Sequence, residues 1–331
     1  MKIAVTVAVH NEEKTIKQLI ESLLGQTRKP DEIIFVDDGS KDRTVLLIQE
    51  YSKEHPEIRL HVQKQKGPAA ARNRAWKESC SDICVFTDGD CVPEPDWIEK
   101  LVQPLVTPQT GGCGGTYKTL NTHSLLARFI GWEISWRYHK VRGLIDCHGS
   151  YNLAVRRKIL EEVGGFNEEY PQASGEDFDM TYKIAKQWNL VYVPEAVVGH
   201  YHPERLLPYL KNQVRRGYDR IKLYCDHPHK MHSDTYTGSY VKYQVALSAL
   251  MFPSLILIYP FFPYSFLFPL LIMAVLLFFT LIPFPYFIKK DKRVAFFSIP
   301  VQFLRGFSWT WGLVKGFLSF GIPFSMFLKH T

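Results

Sequence analysis

The sequence predicts an α/β protein with a mostly parallel sheet and flanking helices, followed by a C-terminal transmembrane helical hairpin and an amphipathic or third membrane helix. Apolar β-branched runs alternate with helical segments as far as residue 88, which is typical of strands joined by crossover helices. The stretch 245–288 then contains no charged side chain and is about twice the roughly 20 residues that span a bilayer. We therefore expect a catalytic or binding domain over residues 1–238 and a membrane domain over residues 239–331.

Three predicted strands end in acidic residues. Glu12 follows "KIAVTVAV", Asp37 and Asp38 follow "DEIIFV", and "DICVFT" runs into Asp88 and Asp90. The carboxyl ends of parallel strands meet at one edge of a sheet, where ligands bind. Ionised carboxylates this close repel each other, and Mg²⁺ is typically held by one or two carboxylates plus substrate phosphates. We therefore predict a metal diphosphate at this edge, with solvated turns as the alternative for each cluster.

The sequence argues against several other classes of protein. It contains no "GxxxxGK[ST]" loop, and the first turn, "AVHNEE", lacks the glycines of a dinucleotide site, so ATPase and dehydrogenase functions are disfavoured. The glycine-rich run 111–115 is interpreted as a turn before a strand. A formal charge of +7 is modest for nucleic-acid binding, and the six cysteines lack zinc-site spacing. We expect no nucleic-acid partner and reduced cysteines.

The apolar C-terminal region is interpreted as two spanning helices, about 242–260 and 264–288, that are separated by the prolines of "YPFFPY". The basic cluster 289–293 belongs on the cytoplasmic side, so we expect a multi-pass cell-membrane protein with its catalytic domain on the cytoplasmic face. The alternative is a buried core hairpin. Residues 294–328 include Arg305, which favours a helix lying in the interface over a third span. The opening "MKIAVTVAV" is not interpreted as a signal peptide, because "HNEEK" follows it at once.

A set of motifs occurs in a fixed order over about residues 2 to 203: "HNEE", "VDDGSKD", "GPAAARNRA", "FTDGDCVPEPDW", "CHGSYNLAVRRKILEEVGGFNE", "GEDFDMTYKIAK" and "VYVPEAVVGHYHP". By these motifs the chain resembles glycosyltransferase family 2, whose members share the GT-A fold. It departs from the family at Ala8 and His10, where Pro and Tyr are frequent. The resemblance implies a hexosyl- or N-acetylhexosaminyltransferase with a nucleotide-sugar half over about 1–115 and an acceptor half over about 116–238.

The resemblance also implies roles for individual residues. It implies a nucleotide site made of Ala8, Glu12, Asp38, Gly67, Arg72, Asp88 and Asp90. It implies Mg²⁺ or Mn²⁺ held by Asp90, Asp88 and His200, with His202 as a weaker candidate. For Arg72 the alternative is an exposed helical arginine, and for His200 it is an ordinary surface or core histidine.

"GEDFD" places Glu176 and Asp177 at the start of a predicted helix, where the macrodipole favours acids for no catalytic reason. The family resemblance implies that Asp177 is the general base of an inverting displacement and that Glu176 is its neighbour. The predicted buried stripe of this helix is Phe178, Tyr182, Ala185 and Trp188.

The acceptor is expected to be a lipid or a lipid-linked glycan. The segment 123–150 is rich in Trp and Arg, and its basic residues Arg128, Arg137, Lys140 and Arg142 are expected to face headgroups or a lipid phosphate. The alternative is a buried helix pair packed on the sheet. "QVRRGY" is similar to the Gln-x-x-Arg-Trp element of processive synthases, but Gly217 replaces the tryptophan, which favours single addition. The alternatives are a polyprenyl-phosphate sugar synthase and a catalytically silent nucleotide-binding membrane module.

Overall fold

A computed structural model describes residues 1–170, 172–231, 234–256 and 267–320. The chain divides into two compact units: Met1–Leu120 with Val141–Tyr201, and Asn121–Lys140 with His202–Thr331. This division differs from the predicted boundary at residue 238, because helices before and after that residue pack against the same C-terminal helix.

The described residues contain nine strands in one sheet, all in the first unit. They are β1 (Ile3–Val9), β2 (Glu32–Asp37), β3 (Ile58–Val62), β4 (Ile83–Asp88), β5 (Cys91–Pro93), β6 (Thr110–Thr119), β7 (Gly143–Ile145), β8 (Asn152–Arg156) and β9 (Asn189–His200). Their spatial order is β3-β2-β1-β4-β8-β6-β9-β5, with β7 also beside β9.

The sheet is mixed, which corrects the expectation of a mostly parallel one. β2 pairs in parallel with β3 and with β1, and β1 pairs in parallel with β4, as the alternation of strands and helices predicts. β6 and β9 also pair in parallel. β8 runs antiparallel to both β4 and β6, and β5 and β7 run antiparallel to β9. The alternation that predicts parallel pairing ends at residue 88, and the strands beyond it do not follow that pattern.

The helices of the described residues are α1 (Ile16–Leu24), α2 (Thr44–Glu54), α3 (Pro68–Glu78), α4 (Trp97–Val102), α5 (Leu125–Tyr138), α6 (Arg157–Val163), α7 (Glu176–Ala185), α8 (Leu206–Asp226), α9 (Ser239–Ile256), α10 (Leu267–Leu281), α11 (Phe284–Lys290) and α12 (Lys292–Phe320). In the first unit, α1 and α4 cover the buried runs of β1 and β4 and form the main core with them. Strands buried on both faces read as continuous apolar runs, which is why these strands are recognisable in the sequence.

The glycine-rich run 111–115 lies inside β6, so its prediction as a turn is wrong. A Cβ at Gly114 would overlap the His148 ring, and a Cβ at Gly115 would overlap the Asn152 side chain and the Ala196 carbonyl. The run therefore lets other side chains lie directly against the strand, which is a recognised use of glycine within sheets.

The second unit exposes apolar side chains on its surface and buries several polar ones beside its apolar clusters. Exposed residues of α10 include Leu270, Leu271 and Phe278, each more than half exposed. In contrast, Glu133, Gln244, Gln302 and Arg305 are buried. In the described residues no helix alone is both long and apolar enough to cross a bilayer, whereas α10 and α11 meet that test only as a pair bent by 42°.

The predicted span 264–288 is not a continuous helix. Helix α10 ends at Leu281 and α11 begins at Phe284, because Pro283 interrupts the helical hydrogen bonding. The predicted break at "YPFFPY" and the residues 321–328 lie outside the described residues.

Three arginines of the second unit form ion pairs within it. Arg305 of α12 is ion-paired with Glu133 and bonds to Gln244 Oε1 at 3.2 Å, so it does not form the polar face on which the interfacial prediction depended. Arg137 also pairs with Glu133, at 3.1 Å, and Arg128 pairs with Asp291 at 2.6 Å. The expectation of a lipid-headgroup contact is therefore wrong for Arg137, whose side chain is 8% exposed, whereas for Arg128, which is 25% exposed, it stays a prediction.

Glycines bring α8 and α12 into close contact. A Cβ at Gly217 would overlap the Trp309 carbonyl, and one at Gly312 would overlap the Val214 carbonyl. Gly312 and Gly316 form a small-x-x-x-small repeat, the pattern that lets helix backbones approach closely. A tryptophan would therefore not fit at position 217. The indole N–H of Trp309, on α12, donates to Gln213 Oε1 at 2.9 Å.

Candidate active site

The first group of predicted site residues lies at the carboxyl ends of β2, β1 and β4, which are neighbours in the sheet. Ala8 stands opposite Asp88 in the β1–β4 pairing. Asp38 follows β2, and its carboxylate accepts bonds from the Lys66 and Gly67 backbone N–H groups, both at 2.8 Å, and from the Gln63 amide at 2.9 Å. Asp38 and Gly67 are thus brought together, and Asp38 fixes the loop that leads into α3.

Asp90 and His200 form the best candidate metal site of the described residues. Their Oδ1 and Nε2 atoms are 3.5 Å apart, and Cys91 Sγ lies within 4.8 Å of both. β5 and β9 create this contact by pairing Cys91 with His200. A carboxylate and an imidazole are ligands that suit Mn²⁺ and related ions, so this donor set fits a divalent cation.

The acids around this site disfavour one another's ionised form. Burial raises the pKa of Asp90, and Asp88 raises it further, although His200 opposes both effects. Burial, and then the charges of Asp90 and Asp88, raise the pKa of Glu12 to about 7. A bound cation would stabilise the ionised form of all these groups.

Arg72 connects the acids of the two motifs. Its guanidinium donates to Asp88 Oδ1 at 3.0 Å and to Glu176 Oε1 at 2.7 Å, and lies 3.7 Å from Asp177 Oδ1. Burial disfavours its charge, but the attraction of Asp88, Asp177 and Glu176 outweighs that effect and raises the pKa of Arg72. Only 7% of its side chain is exposed, which excludes the alternative of an exposed helical arginine.

Asp177 is held by a turn that the sequence analysis did not single out. Ser150 binds it twice, through its backbone N–H to Oδ2 and its hydroxyl to Oδ1, both at 3.1 Å. Burial and the neighbouring charge of Glu176 raise the pKa of Asp177, while Arg72 lowers it. Ser150 lies in the motif "CHGSYN", and that motif is the sequence feature that could have indicated its contact with Asp177.

Glu176 is buried, and besides Arg72 it accepts bonds from the backbone N–H groups of Ser174 and Gly175, at 2.8 and 3.0 Å. It therefore fixes the start of α7. The predicted stripe of this helix is wrong except for Tyr182, because the inward face carries the polar contact to Arg72. The buried residues are Glu176, Asp179, Met180, Thr181, Tyr182 and Ile184.

His202, the weaker metal candidate, belongs to the second unit. There its backbone exchanges two hydrogen bonds with the side chain of Asn121, at 2.7 and 3.0 Å. His200 therefore remains the histidine of the candidate site.

Residues 4–164 match the model of the family described as glycosyl transferase family 2. Among curated relatives, the chain is similar to the probable glycosyltransferase YdaM of Bacillus subtilis (strain 168), with 28% identity over 233 residues. That alignment covers 65% of this chain and 54% of YdaM, so the chain spans about half the length of that relative.

Two solved structures share the fold. The mannosyltransferase PcManGT from Pyrobaculum calidifontis, in complex with GDP-Man and Mn²⁺, aligns with a TM-score of 0.62 and 17% identity over 96% of this chain and 87% of that one. GalNAc-T7 with UDP, GalNAc and Mn²⁺ aligns with a TM-score of 0.53 and 18% identity over 71% of this chain and 52% of that one. The expectation of a GT-A-like α/β fold is confirmed.

Proposed function

We propose, from the match of residues 4–164 to the model of glycosyl transferase family 2, that the chain transfers a sugar from a nucleotide diphosphate sugar to an acceptor hydroxyl. One observation carries the proposal: a single guanidinium, that of Arg72, contacts both Asp88 of the predicted diphosphate site and Asp177, the predicted base. A diphosphate-binding group and a proton acceptor within reach of one side chain suit a displacement between two bound substrates.

On the donor side, Asp38 and Asp88 end strands separated only by β1, which gives a nucleotide a short path from base to diphosphate. Asp90 and His200, with Asp88, would hold Mg²⁺ or Mn²⁺. When bound, that ion supplies Lewis-acid stabilisation of the departing diphosphate. Both structural neighbours were solved with Mn²⁺, one with GDP-Man and the other with UDP and GalNAc, which supports this class of donor.

On the acceptor side, Asp177 accepts the proton of the attacking hydroxyl. Its two bonds from Ser150 fix the carboxylate, and Arg72 stabilises its ionised form. Attack on the face opposite the leaving group inverts the anomeric configuration. General bases contribute typically about 10²–10⁴-fold to such reactions.

We also propose that the protein is anchored in the cell membrane, that its catalytic domain faces the cytoplasm, and that its acceptor is a lipid or lipid-linked glycan extended by one sugar. The supporting observation is the second unit, which exposes Leu270, Leu271 and Phe278 while burying Glu133 and Arg305. Charged residues in membrane helices face the interior of the bundle and pair there, and exposed apolar patches of this kind mark membrane or protein contacts.

The test measures nucleoside diphosphate release by the purified full chain in detergent with Mn²⁺, over a panel of UDP-, GDP- and dTDP-sugars, with and without a membrane lipid extract. We expect one donor class to be turned over faster with the extract, and Asp177→Asn to remove that gain while nucleotide binding persists. Glu162→Gln, at an exposed acid beyond the site, is the control and should behave as wild type.

Two results would contradict the proposal. Nucleotide binding with no turnover of any donor would indicate a silent binding module. Transfer that Asp177→Asn leaves intact would indicate a phosphate acceptor, which needs little deprotonation, and hence a polyprenyl-phosphate sugar synthase.

A further inference from the structure

Two tyrosines lie side by side in the first unit, next to the candidate site. The ring centroids of Tyr117, on β6, and Tyr151, just before β8, are 4.2 Å apart with the rings inclined by 44°. β8 and β6 are neighbouring strands, so the sheet itself sets this contact. Neither residue has a role in the proposed displacement.

This tyrosine pair lies between the candidate metal ligand and the candidate base. The His200 ring is 5.4 Å from the Tyr117 ring and 6.4 Å from the Tyr151 ring. On the other side, a Cβ placed on Gly149 would be 2.5 Å from a Tyr151 ring carbon and 3.5 Å from Asp177 Oδ2. The Tyr151 ring edge and the Asp177 carboxylate are therefore within 6.0 Å of each other, the sum of those two distances.

Packing alone does not account for the pair. The comparable aromatic pair of this unit, Phe86 and Phe166, is 0% and 2% exposed, as expected for rings that only fill a core. Tyr117 and Tyr151 pack against the core cluster but remain partly exposed. Partly exposed aromatic side chains beside polar groups are typical of ligand sites.

The position of the pair in the sheet indicates which part of a nucleotide sugar it meets. Asp38, the predicted base or ribose contact, follows β2, and β6 is four strand spacings from β2, about 19 Å away. A nucleobase bound at β2 is therefore too far away to stack on Tyr117. The proposed displacement puts the reacting sugars between the diphosphate site and Asp177, and the tyrosine pair lies between His200 and Asp177.

We propose that Tyr117 and Tyr151 form a platform on which a pyranose ring stacks during transfer. The proposal rests on the proposed function. The apolar C–H face of a pyranose suits an aromatic face, while the sugar hydroxyls remain available to Asp177 and to solvent. The ring belongs either to the acceptor's terminal sugar or to the donor, and the kinetics of variants distinguish these sources.

The test compares Tyr117→Leu and Tyr151→Leu, which keep apolar bulk without an aromatic face, with Tyr117→Phe and Tyr151→Phe, which keep the face. Each variant is assayed for donor hydrolysis to water, for transfer to the extract-derived acceptor, and for binding of the free nucleoside diphosphate with Mn²⁺. We expect the Phe variants to keep the wild-type KM values and the Leu variants to have a KM about tenfold higher for one substrate. A tenfold change corresponds to about 1.4 kcal/mol, the stacking energy that the Leu variants should lose.

An increase confined to the KM of the acceptor assigns the acceptor sugar to the platform, and an increase in the KM of the donor during hydrolysis assigns the donor sugar. Unchanged values for both substrates in folded Leu variants would overturn the proposal. Binding of the free nucleoside diphosphate is expected to persist throughout, because the pair is distant from Asp38. If the wild-type protein turned over no donor, the proposed function would have failed. That result differs from an active wild-type enzyme whose KM values the Leu substitutions leave unchanged, which would overturn only the platform.

Discussion

Arg72 is the residue on which the charge balance of the site depends. It is the cation that contacts Asp88, Glu176 and Asp177 in the described structure, and a buried carboxylate without a partner is costly. Its partners are separated from it by 16 and 104 residues in the chain. Arg72 therefore holds together two segments that are distant in the chain, and it stabilises the ionised form of Asp177.

Replacing Arg72 should change the pH dependence of catalysis. In the proposed mechanism activity requires ionised Asp177, so kcat should rise with pH through the pKa of that group. Because Arg72 lowers this pKa, Arg72→Met should move the rising limb to higher pH, whereas Arg72→Lys should leave the limb near its wild-type position with a lower kcat. The measurement is the pH profile of kcat for the three proteins.

The free energy of unfolding is measured alongside, because Arg72→Met leaves the buried Glu176 without its ion pair and should cost about 3–5 kcal/mol. An unshifted limb in folded Arg72→Met would show that Arg72 does not act on the base.

Much of the site could be predicted from the residues themselves. Glu12, Asp88 and Asp90 were predicted from acids at strand ends, and the structure does place Asp88 and Asp90 near Glu12, whose pKa they raise. Asp177 came from family resemblance, because an acid at a helix start has a purely local explanation. The partners of Arg72 could not be predicted, since they depend on long-range packing that no local pattern encodes.

At the scale of elements, the glycines of β6 position the acceptor side of the site. Gly114 leaves room for His148, whose ring nitrogens contact the Gly115 and Gly149 carbonyls at 2.8 and 3.0 Å. The same turn continues into Ser150, which holds Asp177. The sequence analysis treated this run as a turn because glycine is common in turns, and the side chains it accommodates come from remote segments.

Gly114→Ala should therefore reduce both stability and transfer. The added methyl would overlap His148 and displace the Gly149–Ser150 turn, with an expected loss of about 1–3 kcal/mol for overpacking and a lower kcat. Chemical denaturation and transfer assays measure the two effects. The control is Gly143→Ala, where no atom lies within 4 Å of the new Cβ and only the left-handed backbone, φ +72°, adds strain.

For Gly143→Ala we expect a comparable loss of stability with unchanged kcat in the folded protein. Equal kcat in folded Gly114→Ala and wild type would contradict a positioning role for this strand.

At the scale of the whole molecule, the two units differ in the polarity of their surfaces. Both contain apolar clusters and buried charged residues, but the second also exposes the apolar side chains of α10. Uninterrupted hydrophobicity predicted the location of the apolar region. It could not predict the break at Pro283 or the burial of Arg305, because these depend on proline geometry and on pairing with Glu133 from α5.

Charges placed on α10 should weaken membrane association. Leu270→Lys, Leu271→Lys and Phe278→Lys together put three ammonium groups on the proposed lipid-facing surface, at about 2.5–3.5 kcal/mol each near the centre of a bilayer. We expect the triple variant to leave the membrane fraction in flotation assays. Leu46→Lys, at an exposed leucine of α2 in the first unit, is the control and should float as wild type does. Equal flotation of the triple variant would contradict membrane anchoring through α10.

The central claim is that the carboxyl edge of the sheet binds a nucleoside diphosphate through a divalent cation. Isothermal titration of UDP and GDP into the purified full chain in detergent, with Mn²⁺ or with EDTA, tests it most directly. We predict binding of one nucleotide that EDTA abolishes and that Asp90→Ala reduces to the level seen with EDTA, while Glu50→Ala, at an exposed acid of α2, binds as wild type does. Equally tight binding with EDTA, or in Asp90→Ala, would contradict the account.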